Sequence, residues 1–141
     1  MHIEIVNGPN LNLLGRREPD IYGHETFDSC LERLRRLYPQ HHIGYFQSNH
    51  EGALLDHLQD VGFSADAIIL NAGAYTHTSL ALADCLRAIT TPVIEVHISQ
   101  TAAREPIRHT SLIAPACRGT ITGFGLDSYR LAIEACEGMK N

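Results

Sequence analysis

The stretch "AIILNAGAYTHTSLALADCLRAITTPVIEVHISQ", residues 67–100, decides the fold. Its two ends, "AIIL" and "VIEV", are short apolar runs bounded by turn-forming residues, as buried strands are. Between them Leu82, Ala83, Leu86 and Ile89 recur at spacings of three and four, which predicts a helix. A strand, a helix and a second strand within this length form a crossover unit. Working outward, residues 3–6, 43–46 and 120–123 read as further strands. Three more helical faces appear: Phe27, Cys30, Leu31 and Leu34; Leu54, Leu55, Leu58 and Val61; Tyr129, Ala132, Ile133 and Cys136. Five strands alternating with helices predict a parallel sheet covered on both faces. The expected class is α/β, a flavodoxin-like doubly wound five-stranded parallel sheet in a single domain over residues 1–141, with right-handed crossovers.

Composition narrows the function. The 141 residues suffice for one core, with 44% hydrophobic and 19% charged residues, values ordinary for a soluble globular chain. Net charge is -5, and the arginines form no basic stripe, which argues against nucleic acid. Glu4 interrupts the first apolar run, which argues against a signal peptide, and no run is long enough to span a membrane. The four cysteines lack C-x-x-C spacing, so free thiols in a cytoplasmic protein are expected. The single lysine, Lys140, lies beside the last residue. That is a poor place for the desolvated amine that Schiff-base chemistry needs.

Ligands of open α/β sheets bind outside the carboxyl ends of the strands. Here those ends read "NGPN", "QSNHEG", "NAGAYTHTS" and "EVHISQ". They are rich in amides, hydroxyls and imidazoles. They hold no P-loop and no G-x-G-x-x-G turn, and asparagines stand where a phospho-receiver needs carboxylates. No His, Cys or carboxylate set has metal-ligand spacing, so no metal and no cofactor are expected.

His97 closes the fourth strand two residues after Glu95. It reads equally as a buried structural histidine and as a general acid; Glu95 is the natural group to orient it. His77 suits helix capping and a substrate hydrogen bond alike, as do Thr76, Thr78 and Ser79 for capping. His41 and His42 read as surface loop. Arg104 and Arg108, four apart, are either a solvated helical turn or a clamp for a carboxylate or polyol.

The first strand is followed by "NGPNLNLLGRREPDIYG", residues 7–23, far longer than the usual two to six residues. A loop carrying Arg16, Arg17 and Tyr22 over a strand end has the makings of a lid. Arginine beside a phenol favours the phenolate. Ionising tyrosine near neutral pH takes roughly 3 pKa units, about 4 kcal/mol. One charge about 4 Å away at an effective dielectric near 20 supplies about that much, provided the lid is shut and partly dry.

"NGPNLNLLGRREPDIYG", "QSNHEG", "NAGAYTHTS" and "EVHIS", in this order and spacing and with the closing "GFGLDSYRLA", resemble the type II 3-dehydroquinate dehydratases across nearly the whole chain. The resemblance implies dehydration of 3-dehydroquinate to 3-dehydroshikimate through an enolate, with neither Schiff base nor metal, in the shikimate pathway. It implies Tyr22 as base, Arg17 as the residue that lowers the tyrosine pKa and closes the lid, Asn10 as enolate stabiliser and His97 as the acid for the departing hydroxyl. It implies that Asn71 and His77 hold ring hydroxyls, that Ile98 and Ser99 take the carboxylate, and that Arg108 contacts the hydroxyl-bearing edge. Asp84 would reach a neighbouring subunit's site, in a dodecamer built from trimers.

Two positions depart from the family pattern. Gln100 stands where asparagine is usual, and Thr110 where histidine is common. The competing reading is a non-catalytic flavodoxin-like module that binds a small polyhydroxy acid. Such a module would keep Asn71, His77, Ser99 and Arg108 but would have no use for Tyr22, Arg17 and His97 together.

Overall fold

The computed structural model describes residues 1–16, 20 and 24–140. Arg17 and Tyr22 lie outside the described residues. Five parallel strands, β1 (His2–Asn7), β2 (His42–Gln47), β3 (Ala67–Asn71), β4 (Val93–His97) and β5 (Gly119–Thr122), form one sheet in the order β2-β1-β3-β4-β5. The helices whose bounds fall among the described residues are α1 (Phe27–Leu37), α2 (Glu51–Val61), α3 (Leu80–Ala88) and α4 (Asp127–Met139). This is the flavodoxin-like α/β fold that the alternation predicts. The fifth strand begins and ends one residue earlier than the apolar pattern suggests. Gly123 takes φ +94°, leaves the extended region and donates its N–H to His97 O at 3.2 Å, which closes the strand.

The pleat sorts the core into two layers. Ile3, Ile5, Ile69, Ile94 and Val96 face α1 and α4, where they meet Phe27, Leu34, Tyr129 and Ile133. Val6, Ile68, Leu70 and Val93 face α2 and α3, where they meet Leu54, Leu58, Leu82 and Leu86. A fully buried aliphatic or aromatic side chain contributes about 1.5–3 kcal/mol, so these layers hold the sheet rigid beneath its loops. Thr26 caps α1 by accepting Ser29 N–H at 3.2 Å, and Ser79 caps α3 by accepting Leu82 N–H at 2.9 Å. Of the capping candidates at the start of α3, Ser79 is therefore the one used, and His77 is left for another role.

At the carboxyl end of the sheet the loops after β1 and β3 touch through their backbones. Gly8 N–H donates to Asn71 O at 2.7 Å. A β-carbon on Gly8 would lie 2.6 Å from Ala72 O, so only glycine permits this approach. Sequence reasoning left Glu4 and His57 unassigned and put His41 on the surface. The Glu4 carboxylate is buried and accepts from His2 Nε2 at 2.9 Å and His57 Nε2 at 2.8 Å. His41 is a largely covered side chain that bonds Glu137 Oε1 at 2.8 Å and stacks on Tyr38. His57 meets Glu4 from α2, and His41 meets Glu137 from the opposite end of the chain, so no local spacing marks these pairings.

Candidate active site

A cleft opens over the carboxyl ends of β1, β3 and β4, where the doubly wound order reverses. Asn10, Asn71, His77, His97, Ile98, Ser99 and Arg108, all singled out in the sequence, line it together with Arg104. Asp84 does not. It lies exposed on α3, 3.6 Å from Arg87 Nη1, and contributes nothing to the cleft of its own chain.

His97 forms the back wall. It is buried at the end of β4, and its Nε2 lies 2.5 Å from Glu95 Oε2. Alternation along a strand places residues two apart on one face, which brings the pair together. Glu95 is wholly buried and also accepts from Ser111 Oγ at 2.9 Å and Thr120 Oγ1 at 3.2 Å. Burial alone would raise its pKa. The hydrogen bonds from His97, Ser111 and Thr120 and the nearby imidazole outweigh burial and hold the carboxyl below its ordinary value. With Nε2 engaged by Glu95, Nδ1 is the ring nitrogen left for chemistry.

The His77 ring lies 6.2 Å from that of His97, at 22° between planes. Its Nδ1 is 2.8 Å from Thr110 O. A carbonyl only accepts, so Nδ1 carries the proton and a neutral His77 offers Nε2 as an acceptor. The contact is to main chain, so threonine at position 110 serves as well as another side chain.

Asn71 belongs to a buried chain of hydrogen bonds. Its Nδ2 donates to Tyr129 Oη at 2.9 Å, and Tyr129 Oη donates to Asn7 Oδ1 at 2.8 Å. Gly73 N–H donates to Asn71 Oδ1 at 3.2 Å. The carboxamide is thus fixed in orientation before any ligand arrives.

Beyond the last β4–β5 pair, His97 with Thr122, the chain runs through short 3₁₀ turns at Thr101–Ala103, Pro106–Arg108 and Ala114–Ala116. Arg104 and Arg108 are therefore not one helical row. Arg104 Nη1 donates to Ser99 Oγ at 3.3 Å, and Arg108 pairs with Glu105. Gln100 Oε1 accepts from Thr122 Oγ1 at 2.6 Å. This unusual side chain is drawn to β5 and is not among the residues lining the cleft. Sequence reasoning gave Tyr129 only a helix face and Thr120 only a strand position, and it left Ser111, Gln47 and Asn49 without a role. Only "QSNHEG" offered a signal, a polar strand end without an assigned role.

Fold and cleft define an α/β protein with an imidazole–carboxylate pair and a set of amide, hydroxyl and guanidinium groups at a topological switch point. This is the setting of a small-molecule enzyme site. The model of the family described as Dehydroquinase class II matches residues 1–137. A 3-dehydroquinate dehydratase of Exiguobacterium sp. is 54% identical over 136 residues, covering 96% of this chain and 93% of the relative. That of Maricaulis maris is 56% identical over 137 residues, covering 94% and 92%. The crystal structure of the type II dehydroquinase from Butyrivibrio crossotus superposes with a TM-score of 0.94 at 42% identity, covering 97% of each chain. The chain belongs to the class II dehydroquinase family.

Proposed function

We propose that this protein dehydrates 3-dehydroquinate to 3-dehydroshikimate by stepwise trans elimination. Tyr22, as phenolate, takes a proton from the carbon beside the ketone, and the electron pair moves onto the ketone oxygen as an enolate. Asn10 stabilises the enolate, in part through a water. The enolate then collapses. The carbonyl re-forms, a double bond forms to the carbon bearing the carboxylate, and the hydroxyl leaves as water with a proton from His97 Nδ1. Arg17 lowers the Tyr22 pKa and brings the loop down.

Asn71 and His77 hold ring hydroxyls, Ser99 and the Ile98 and Ser99 amides hold the carboxylate, and Arg108 closes the hydroxyl-bearing edge. Asp84, exposed on α3, reaches the cleft of a neighbouring subunit in a trimer, and trimers assemble into a dodecamer. The chain works in the cytoplasm, in the shikimate pathway.

The observation that carries this reading is the buried His97–Glu95 pair at the wall of a cleft lined by Asn10, Ser99 and Arg108. A mere binding module has no need of it. The test is ultraviolet absorbance of the conjugated product with 3-dehydroquinate as substrate, for the wild type, His97→Ala and Tyr22→Phe. The wild type turns over, and His97→Ala loses about 10²–10⁴-fold in kcat while still binding ligand. Wild-type protein that binds 3-dehydroquinate without forming product would overturn the proposal, as would normal turnover in either variant.

A further inference from the structure

The "QSN" that ends β2 has no part in the chemistry above, yet it joins the two loops that carry the site. Asn49 Oδ1 accepts the backbone N–H of Asn10 at 3.0 Å and Gln47 Nε2 at 3.2 Å. Gln47 Nε2 also donates to Gly8 O at 3.1 Å. The Asn49 carbonyl accepts Tyr75 Oη at 2.9 Å, and Tyr75 sits in the 3₁₀ turn Gly73–His77 that ends in His77. A backbone N–H can only donate, so the oxygen of the Asn49 carboxamide is the atom that faces Asn10.

Asn10 itself needs such a partner. It is the one non-glycine residue at positive φ, 70°, among the described residues. That conformation is tolerated by asparagine but not favoured by it. In this conformation Asn10 stands among the residues lining the cleft, with its N–H held by Asn49.

We infer that Asn49 is a positioning residue for Asn10, its carboxamide oxygen fixing the left-handed backbone that presents the Asn10 side chain to developing negative charge. The inference rests on the role proposed above for Asn10. Donors placed for an oxyanion are effective because they are preorganised, and a misplacement of about 1 Å can cost about 10²-fold. Asn49 is exposed and outside the core, so its effect is on geometry and not on the fold at large.

The experiment compares Asn49→Ala, Asn49→Asp and Asn10→Ala, with the double variant Asn10→Ala/Asn49→Ala, in kcat and KM for 3-dehydroquinate. Amide hydrogen exchange at residue 10 is followed by NMR in the wild type and the two Asn49 variants. Asn49→Ala lowers kcat by about 10- to 100-fold and speeds exchange of the Asn10 amide. Asn49→Asp keeps the accepting oxygen and restores both; its added charge falls on KM. In the Asn10→Ala background Asn49→Ala costs nothing further, because the two act as a unit. Unchanged exchange at Asn10 in Asn49→Ala overturns the inference whether or not the protein is active. In an active wild type, so do an unchanged kcat, failure of Asn49→Asp to restore it, or additive losses in the double variant. A wild type that does not turn over 3-dehydroquinate but shows the exchange change refutes the catalytic reading and leaves Asn49 as a structural latch, which also overturns the inference as stated.

Discussion

His97 and Glu95 stand two residues apart on β4, side by side on one face, with 2.5 Å between Nε2 and Oε2 and both side chains buried. Strand geometry alone brings them together. Against burial, the hydrogen bond and charge of His97 do most to keep Glu95 ionised there, and Ser111 and Thr120 add further donors from the segment after β4 and from β5. Glu95→Gln keeps the size but loses the charge and can turn its amide toward the ring. Hydrogen bonds to charged groups contribute about 1.5–3 kcal/mol, so turnover falls about 10- to 100-fold with KM little changed. Steady-state kinetics on the variant checks this.

The same carboxyl sets a pH dependence of stability. Its folded-state pKa is depressed, with hydrogen bonds and the imidazole overcoming the opposing effect of burial. Ionised Glu95 therefore stabilises the fold above its unfolded pKa, and this contribution is lost as pH falls through the lowered folded value. The stability gap between wild type and Glu95→Gln, measured by urea unfolding, is full near neutrality and narrows below about pH 4.5.

Tyr129→Phe keeps the ring, packed edge-on against Phe27 at 4.9 Å, and removes the hydroxyl between Asn7 and Asn71. The variant strips Asn7 Oδ1 and Asn71 Nδ2 of their shared partner. Each buried group so stranded costs about 1–3 kcal/mol. Denaturant unfolding shows a loss of that size, and KM rises as Asn71 loses its fixed orientation.

Two glycines answer opposite ways to alanine. Gly8→Ala drives a methyl into Ala72 O and pushes the β1 and β3 loops apart, costing about 1–3 kcal/mol. Gly52 lies in α2 with nothing within 4 Å of an added β-carbon, so Gly52→Ala stabilises by about 0.5–1 kcal/mol. Thermal melts of the two variants shift in opposite directions.

The cysteines are free and suppressed. Burial pushes the Cys30 thiol up to about 11 and those of Cys117 and Cys136 up to about 12. A thiol reagent at pH 8 should react slowly with the native protein and promptly with all four after unfolding.

The layers of the fold were legible because apolar spacing is a local property: each strand and helix face stands in a few adjacent letters. The cleft was legible in outline for a different reason, since residues at strand ends converge wherever a doubly wound sheet reverses. The supports were not legible. Ser111 meets Glu95 across a connection of irregular turns, Tyr129 reaches Asn7 from the far end of the chain, and Asn49 meets Asn10 through a main-chain N–H that no side-chain pattern advertises. Gln100 departs from the family pattern by one longer amide, and the structure sends that amide to Thr122 on β5.

The connection from β4 to β5 carries two kinds of cargo on one piece of chain. Ser99, Arg104 and Arg108 form its cleft side, while Ser111 and the Thr110 carbonyl brace Glu95 and His77 from behind. Whoever grafts this segment from a relative to change which ring substituents are accepted will replace the mounting of the two histidines in the same stroke. With the roles proposed above, selectivity and proton delivery are inherited together, and point changes confined to the cleft side are the route by which one can be altered without the other.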